Sequence, residues 1–211
     1  MSSCMKFFSF LLLIGMTGLS QGANRATPTL LVFGDSLSAA YGIPRESGWV
    51  ALLAQRLQAS KPVYQVINAS VSGETTAGGL TRLPALLKAY KPQQIILELG
   101  ANDGLRGLPL PQTQRNLENM IALAEKQGGK VLLVGMRLPP NYGAAYAGKF
   151  QSIFTEVAKK KKVRLVPFLF DGIAAQPENF QADGLHPTAQ AQAALLDTVW
   201  RQLEPMLKRP E

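Results

Sequence analysis

Five short runs rich in Val, Ile and Leu recur along the chain, and they restrict what it can fold into more than any other feature. They cover residues 30–33, 64–68, 95–99, 131–136 and 163–168. Each is nearly continuous in its hydrophobicity instead of alternating, as strands buried on both faces are. The segments between them repeat at three and four residues, the spacing of a helix with one apolar face. Trp49, Leu52, Leu53 and Leu57 form one such set, and Leu80, Leu83, Leu86 and Leu87 a second. Leu117, Met120, Ile121 and Ala124 form a third, and Ala191, Leu195, Val199 and Leu203 a fourth. Several segments stop at Lys61-Pro62, Lys91-Pro92 or Gly128-Gly129, residues that end helices. Alternation of strand and helix predicts an α/β fold: a five-stranded parallel sheet covered by helices on both sides. In such sheets chemistry belongs in the loops beyond the carboxyl ends of the strands.

The N-terminus stands outside this pattern. Lys6 precedes an uncharged apolar run at 7–19, and Ser20, Gly22 and Ala23 follow. A basic start, an apolar stretch and a small-residue exit describe a secretory signal peptide, and the run is shorter than the roughly 20 residues a membrane span requires. Residues 1–22 are therefore expected to be removed, with the cut as late as 26, leaving 23–211 as one exported, periplasmic or secreted domain. Cys4 and Lys6 leave with the leader, so the mature chain has no thiol and its net charge falls from +8 to +7. The densest basic cluster, Lys159–Lys162 with Arg164, reads as a solvated helix end, where lysines complement the helix dipole. No aromatic residues interleave with it, so nucleic acid is not an expected partner.

The loops after the strands carry the chemistry. The first strand runs into Gly34-Asp35-Ser36-Leu37-Ser38, which presents Ser36 at a tight turn. This is not the G-x-S-x-G elbow, because position 38 is serine. A serine nucleophile needs a base, and the chain has a single histidine, His186, in Asp183-Gly184-Leu185-His186-Pro187. Asp183 lies near enough for a turn to bring its carboxylate to the imidazole, fixing the tautomer that accepts the serine proton. That block follows the fifth strand, on the sheet edge where Ser36 is expected to emerge. Oxyanion donors are available from the N–H of Ser36, the backbone of Gly73 after the second strand, and the Asn102 amide after the third. Gly143–Lys149 (GAAYAGK) lacks the Ser or Thr of a phosphate loop and is set aside. With one histidine and no mature cysteine, no metal site is expected. Asp35 and Asp103 are read as loop-positioning groups.

Ser36 in G-D-S-L-S, Gly73, Asn102 in G-A-N-D, and Asp183 with His186 in D-G-L-H-P resemble the four blocks of the SGNH (GDSL-type) hydrolases in order and spacing. Residues 80–88 (LTRLPALLK), 98–105 (ELGANDGL) and 137–143 (RLPPNYG) are similar to one branch, the bacterial periplasmic multifunctional thioesterase/protease/lysophospholipase and its arylesterase relatives. The resemblance implies a flavodoxin-like three-layer α/β/α sandwich, a metal-independent mechanism and hydrolysis of acyl esters and thioesters. No cofactor is expected; the expected partner is a small acyl ester, thioester or lysolipid, and the mature chain is expected to be a monomer with no membrane anchor once the leader is cut. The resemblance assigns Ser36 as nucleophile, His186 as base, Asp183 as its orienter, and Ser36, Gly73 and Asn102 as oxyanion donors. It also implies that nearby loops shape an acyl pocket: Leu108 and Pro109 from 105–111, with Met136, Leu138, Pro140 and Tyr142 from 136–146. The loop 74–80, with Gly78-Gly79, is expected to act as a mobile lid. Two rivals are a carbohydrate O-deacetylase with a short acyl pocket and a non-catalytic lipid-binding protein.

Overall fold

The structure, a computed structural model, describes residues 1, 27–60 and 62–207. Apart from Met1, the expected signal peptide and its cleavage site lie outside the described residues, as does Lys61. Five parallel strands form one sheet: β1 (Thr29–Gly34), β2 (Gln65–Asn68), β3 (Gln94–Glu98), β4 (Lys130–Val134) and β5 (Arg164–Val166), in the order β2-β1-β3-β4-β5. This is the flavodoxin-type order, with its reversal between β1 and β3. Every residue of β1 and β3 is buried, which is why those runs are uninterrupted in hydrophobicity. β4 and β5 are shorter than their apolar runs. Pro167 follows β5 and has no N–H to extend the ladder, and the chain leaves there.

The helices fall into two layers. On one face α2 (Thr76–Tyr90), α4 (Leu110–Lys126) and α5 (Ala144–Lys161) pack side by side; on the other α1 (Trp49–Gln58) packs against α6 (Gln192–Leu203). A short helix, α3 (Ala101–Leu105), joins β3 to α4. The expected apolar sets face the core, and Trp49, Leu53, Leu83, Leu87, Leu117, Ile121, Leu195 and Val199 are essentially inaccessible. α5 is absent from the sequence expectations except for its basic end. It buries Phe150, Ile153, Phe154 and Val157, and Lys159, Lys160 and Lys161 form its last turn.

One expectation needs correction. Residues 74–80 do not form a free lid: Thr76 opens α2, and its N–H donates to Asp103 Oδ2 at 2.9 Å. Gly79 lies so close to β1 and β3 that an added Cβ would come within 2.5 Å of Leu99 Cδ1. Its glycine serves close packing, not hinging. Ser36 emerges at the carboxyl edge of the sheet, just beyond the end of β1. β1 is internal, separated from β5 by β3 and β4. The segment 167–191 therefore has to return across the strand ends to bring His186 to Ser36.

Candidate active site

The turn that carries Ser36 is held from below and from both sides. After Gly34 the chain closes a tight turn, with Ala39 N–H donating to the Asp35 carbonyl at 3.0 Å and Tyr41 N–H to the Ser36 carbonyl at 3.2 Å. Asp35 Oδ1 accepts from Leu37 N–H at 3.0 Å. Trp49, at the start of α1, donates its indole N–H to the Leu37 carbonyl at 3.2 Å, and Asn68, at the end of β2, donates to the Ser38 carbonyl at 2.8 Å. Beneath the turn Glu98 is completely buried at the end of β3; its Oε2 accepts from Ser38 Oγ at 2.7 Å and Asp35 N–H at 3.3 Å. Gly34 is required here, since any Cβ would meet Glu98 Oε2 at 2.5 Å. Ser36 is left half-buried at the switch point of the sheet.

The returning segment is pinned before it reaches Ser36. Phe180 and Pro187 form an antiparallel bridge, and Gln181 N–H donates to the His186 carbonyl at 2.8 Å. The Gln181 amide donates to the carbonyls of Tyr41, at 2.9 Å, and Pro187, at 3.1 Å, tying this loop to the Ser36 turn. From the first residue of α6, Gln192 Oε1 accepts Trp49 N–H at 3.0 Å while its amide donates to the Thr188 carbonyl at 3.2 Å. His186 Nε2 consequently lies 2.8 Å from Ser36 Oγ, and Nδ1 lies 2.6 Å from Asp183 Oδ2. A carboxylate only accepts, so Nδ1 carries the hydrogen and Nε2 accepts from the serine hydroxyl. The three-residue spacing does more than bring the groups together. Asp183 Oδ1 takes the N–H groups of Leu185, at 2.9 Å, and His186, at 3.0 Å. Partial burial pushes the Asp183 carboxyl up, but those two amides and the imidazole outweigh it and bring it down to about 2. It stays ionised and oriented across the whole neutral range. Tyr41 covers the imidazole, with ring centroids 4.5 Å apart.

The two other loops meet at the same place. Gly73 has φ 78°, the left-handed region that favours glycine, and Asn102 sits in the first turn of α3. Asn102 Nδ2 donates to Asp35 Oδ2 at 3.1 Å. Burial pushes the Asp35 carboxyl up to about 6, against the pull of the Leu37 amide and His186. Burial, reinforced by neighbouring Asp35, raises Glu98 well above the usual carboxyl range. Asp103 faces away from the site, accepting from Thr76 N–H and from Thr113 Oγ1 at 3.2 Å, so it joins α2, α3 and α4.

Ser36, Gly73, Asn102 and His186 all line one groove of about 890 Å³. Met136, Leu138 and Pro140 form part of its wall, as the sequence suggests, together with Phe168, Phe170, Ala174 and Phe180 from the returning segment. Three other expected pocket residues are placed elsewhere. Leu108 and Pro109 line a separate hollow of about 450 Å³ beside Tyr146 and Ile153. The chain turns away at Gly107, φ 65°, where Leu108 N–H donates to the Asp103 carbonyl at 2.9 Å. Tyr142 is not among the groove residues; its hydroxyl donates to the Leu105 carbonyl at 3.0 Å. The phenylalanine wall is missing from the sequence reading, although F-L-F at 168–170 directly follows a strand, where ligand-facing residues belong.

Residues 32–194 match the GDSL-like lipase/acylhydrolase family. The chain belongs to that family. It is 50% identical over 182 residues to esterase TesA of Pseudomonas aeruginosa, covering 86% of this chain and 90% of the relative. It is 39% identical over 198 residues to thioesterase 1/protease 1/lysophospholipase L1 of Escherichia coli, covering 94% and 92% of the two chains. Among solved structures, the psychrotrophic esterase EstA from a Pseudoalteromonas species, inhibited by monoethylphosphonate, matches with a TM-score of 0.81 at 40% identity, covering 86% of this chain and 99% of that one. As a GDSL-type family member the chain is a serine hydrolase with the SGNH fold.

Proposed function

We propose that this chain cleaves carboxylic esters and thioesters through an acyl-enzyme on Ser36. The observation that carries the reading is the unbroken line from Asp183 Oδ2 through His186 to Ser36 Oγ, at 2.6 and 2.8 Å, opening into an apolar groove. His186 takes the Ser36 proton as the oxygen attacks the acyl carbonyl, and Asp183 stabilises the imidazolium that forms. The N–H groups of Ser36 and Gly73 and the Asn102 amide receive the developing oxyanion. His186 then protonates the departing alcohol or thiol, and water releases the acid by the same route. Similarity to a thioesterase/lysophospholipase supports thioester and lysolipid substrates, and the Met, Leu and Phe walls suit an acyl chain better than a sugar.

The test is turnover of p-nitrophenyl esters from acetyl to palmitoyl, and of an acyl-CoA, by wild type and Ser36→Ala. Loss of about 10⁴-fold or more in kcat is expected for the variant; a variant as active as wild type ends the proposal. Export to the periplasm is proposed from residues 1–22, with 23–211 as the mature domain. Fractionation of cells expressing the chain with and without 1–22 checks this, and equal amounts in the periplasm would refute it.

A further inference from the structure

We propose that Arg106 sets the geometry and the strength of the oxyanion hole, a conclusion that rests on reading Gly73 and Asn102 as its donors. Arg106 directly follows α3, and its backbone N–H closes that helix on the Asn102 carbonyl at 3.1 Å. Its side chain spans the gap between two loops far apart in sequence. Nη2 donates to the Gly73 carbonyl at 3.0 Å and lies 3.5 Å from Asn102 Oδ1. One guanidinium nitrogen thereby joins the loop after β2 to the helix after β3.

The consequence for Asn102 is chemical. A side-chain amide can be turned end for end, and only one orientation points an N–H at an oxyanion. Here Nδ2 gives one hydrogen to Asp35 Oδ2 at 3.1 Å, and Oδ1 faces the Arg106 cation. The reversed amide would set its oxygen against the Asp35 carboxylate and its hydrogens against a guanidinium. Asp35 and Arg106 together therefore fix the donor end and leave the second Nδ2 hydrogen for the oxyanion. A cation on Oδ1 also polarises that amide and strengthens the N–H it donates. For Gly73 the effect is positional. Its carbonyl sits in the turn closed by Glu74 N–H on the Val71 carbonyl at 3.1 Å, and that turn is braced on its other side by the Arg82–Glu74 ion pair at 2.6 Å. Arg106 holds the face of the turn nearer α3. It lies so close that a Cβ on Gly73 would come within 3.4 Å of Nη2. Arg106 acts through the donors and is a positioning residue.

Such a role moves quantities that a surface arginine bracing a loop does not. Wild type, Ser36→Ala, Arg106→Ala and Arg106→Lys are compared for kcat, KM and melting temperature on p-nitrophenyl butyrate. Inhibition by a trifluoromethyl ketone, whose tetrahedral adduct places an anionic oxygen in the hole, is measured alongside. Loss of a whole donor costs about a hundred- to a thousandfold, so Arg106→Ala is expected to lose about ten- to a hundredfold in kcat with KM nearly unchanged. The inhibition constant should rise by the same factor as kcat/KM falls, and Arg106→Lys, which keeps a cationic donor, should recover part of both. Unchanged kcat and inhibition, or a rise in KM alone, overturns the proposal. Activity that survives in Ser36→Ala, or is absent from wild type, instead brings down the reading of the site itself.

Discussion

Under Ser36, two carboxyl groups meet in a place no solvent reaches. Glu98 is fully buried and Asp35 nearly so, and both are easier to protonate in the folded chain than in the unfolded one. The folded state thus holds protons that the unfolded state has released, and stability falls as pH rises. Their contribution is complete below the ordinary carboxyl range near 4 and is lost for Asp35 as pH climbs through about 6. Glu98→Gln keeps an oxygen for Ser38 and Asp35 while removing one of the two ionisations. Melting temperature is expected to drop from pH 4.5 to 7.5 in wild type and to drop less in the variant; parallel curves would refute the assignment. At this scale the sequence spoke unevenly. Ser36, His186 and Asp183 were legible because few residue types perform their chemistry and the chain has one histidine. Glu98, Gln181 and Arg106 were not, because a glutamate ending a strand or an arginine in a loop acquires meaning only through partners distant in sequence.

Helices and strands were legible where burial is two-sided or one-faced, and less so where packing overrides pattern. Apolar spacing marked α1, α2, α4 and α6, whereas α5 begins in the Ala- and Gly-rich stretch 144–149, which weakens the signal before Phe150. The supposed lid failed as an expectation because two glycines in sequence suggest flexibility, while in space Gly79 marks contact with Leu99 and Phe33. The junction between α1 and α6 yields a prediction at this level. Gln192 satisfies the first N–H of α1 and a carbonyl of the histidine loop at once. Gln192→Ala is expected to cost about 1–3 kcal/mol, the penalty of leaving the buried Trp49 N–H unpaired. Denaturant titration measures it, and kcat should fall as well because the loop holding His186 loses an anchor. A loss under 0.5 kcal/mol would show that water or a neighbour replaces the glutamine.

Across the whole molecule, the groove joins two walls that the sheet topology keeps apart in sequence. Residues 136–140 leave β4, while Phe168, Phe170, Ala174 and Phe180 belong to the segment that leaves β5. Ala174 is the small side chain in that second wall, and filling its space should shorten the acyl chain the groove accepts. Ala174→Phe is expected to leave acetyl esters within about twofold and to lower kcat/KM for octanoyl and longer esters about tenfold, since each buried methylene contributes about 0.8 kcal/mol. A uniform loss at every length would place the acyl chain elsewhere. The return of segment 167–191 across the strand ends also governs when the protein becomes an enzyme. Ser36 and His186 are 150 residues apart, and the strands that precede them, β1 and β5, are separated in the sheet by β3 and β4. Contacts of such separation form late, because loop closure has to be met before they reward it. A partly folded chain can hold most of its sheet and still be inert. A chain still unfolded during the export proposed above carries Ser36 and His186 without the 2.8 Å contact that joins them.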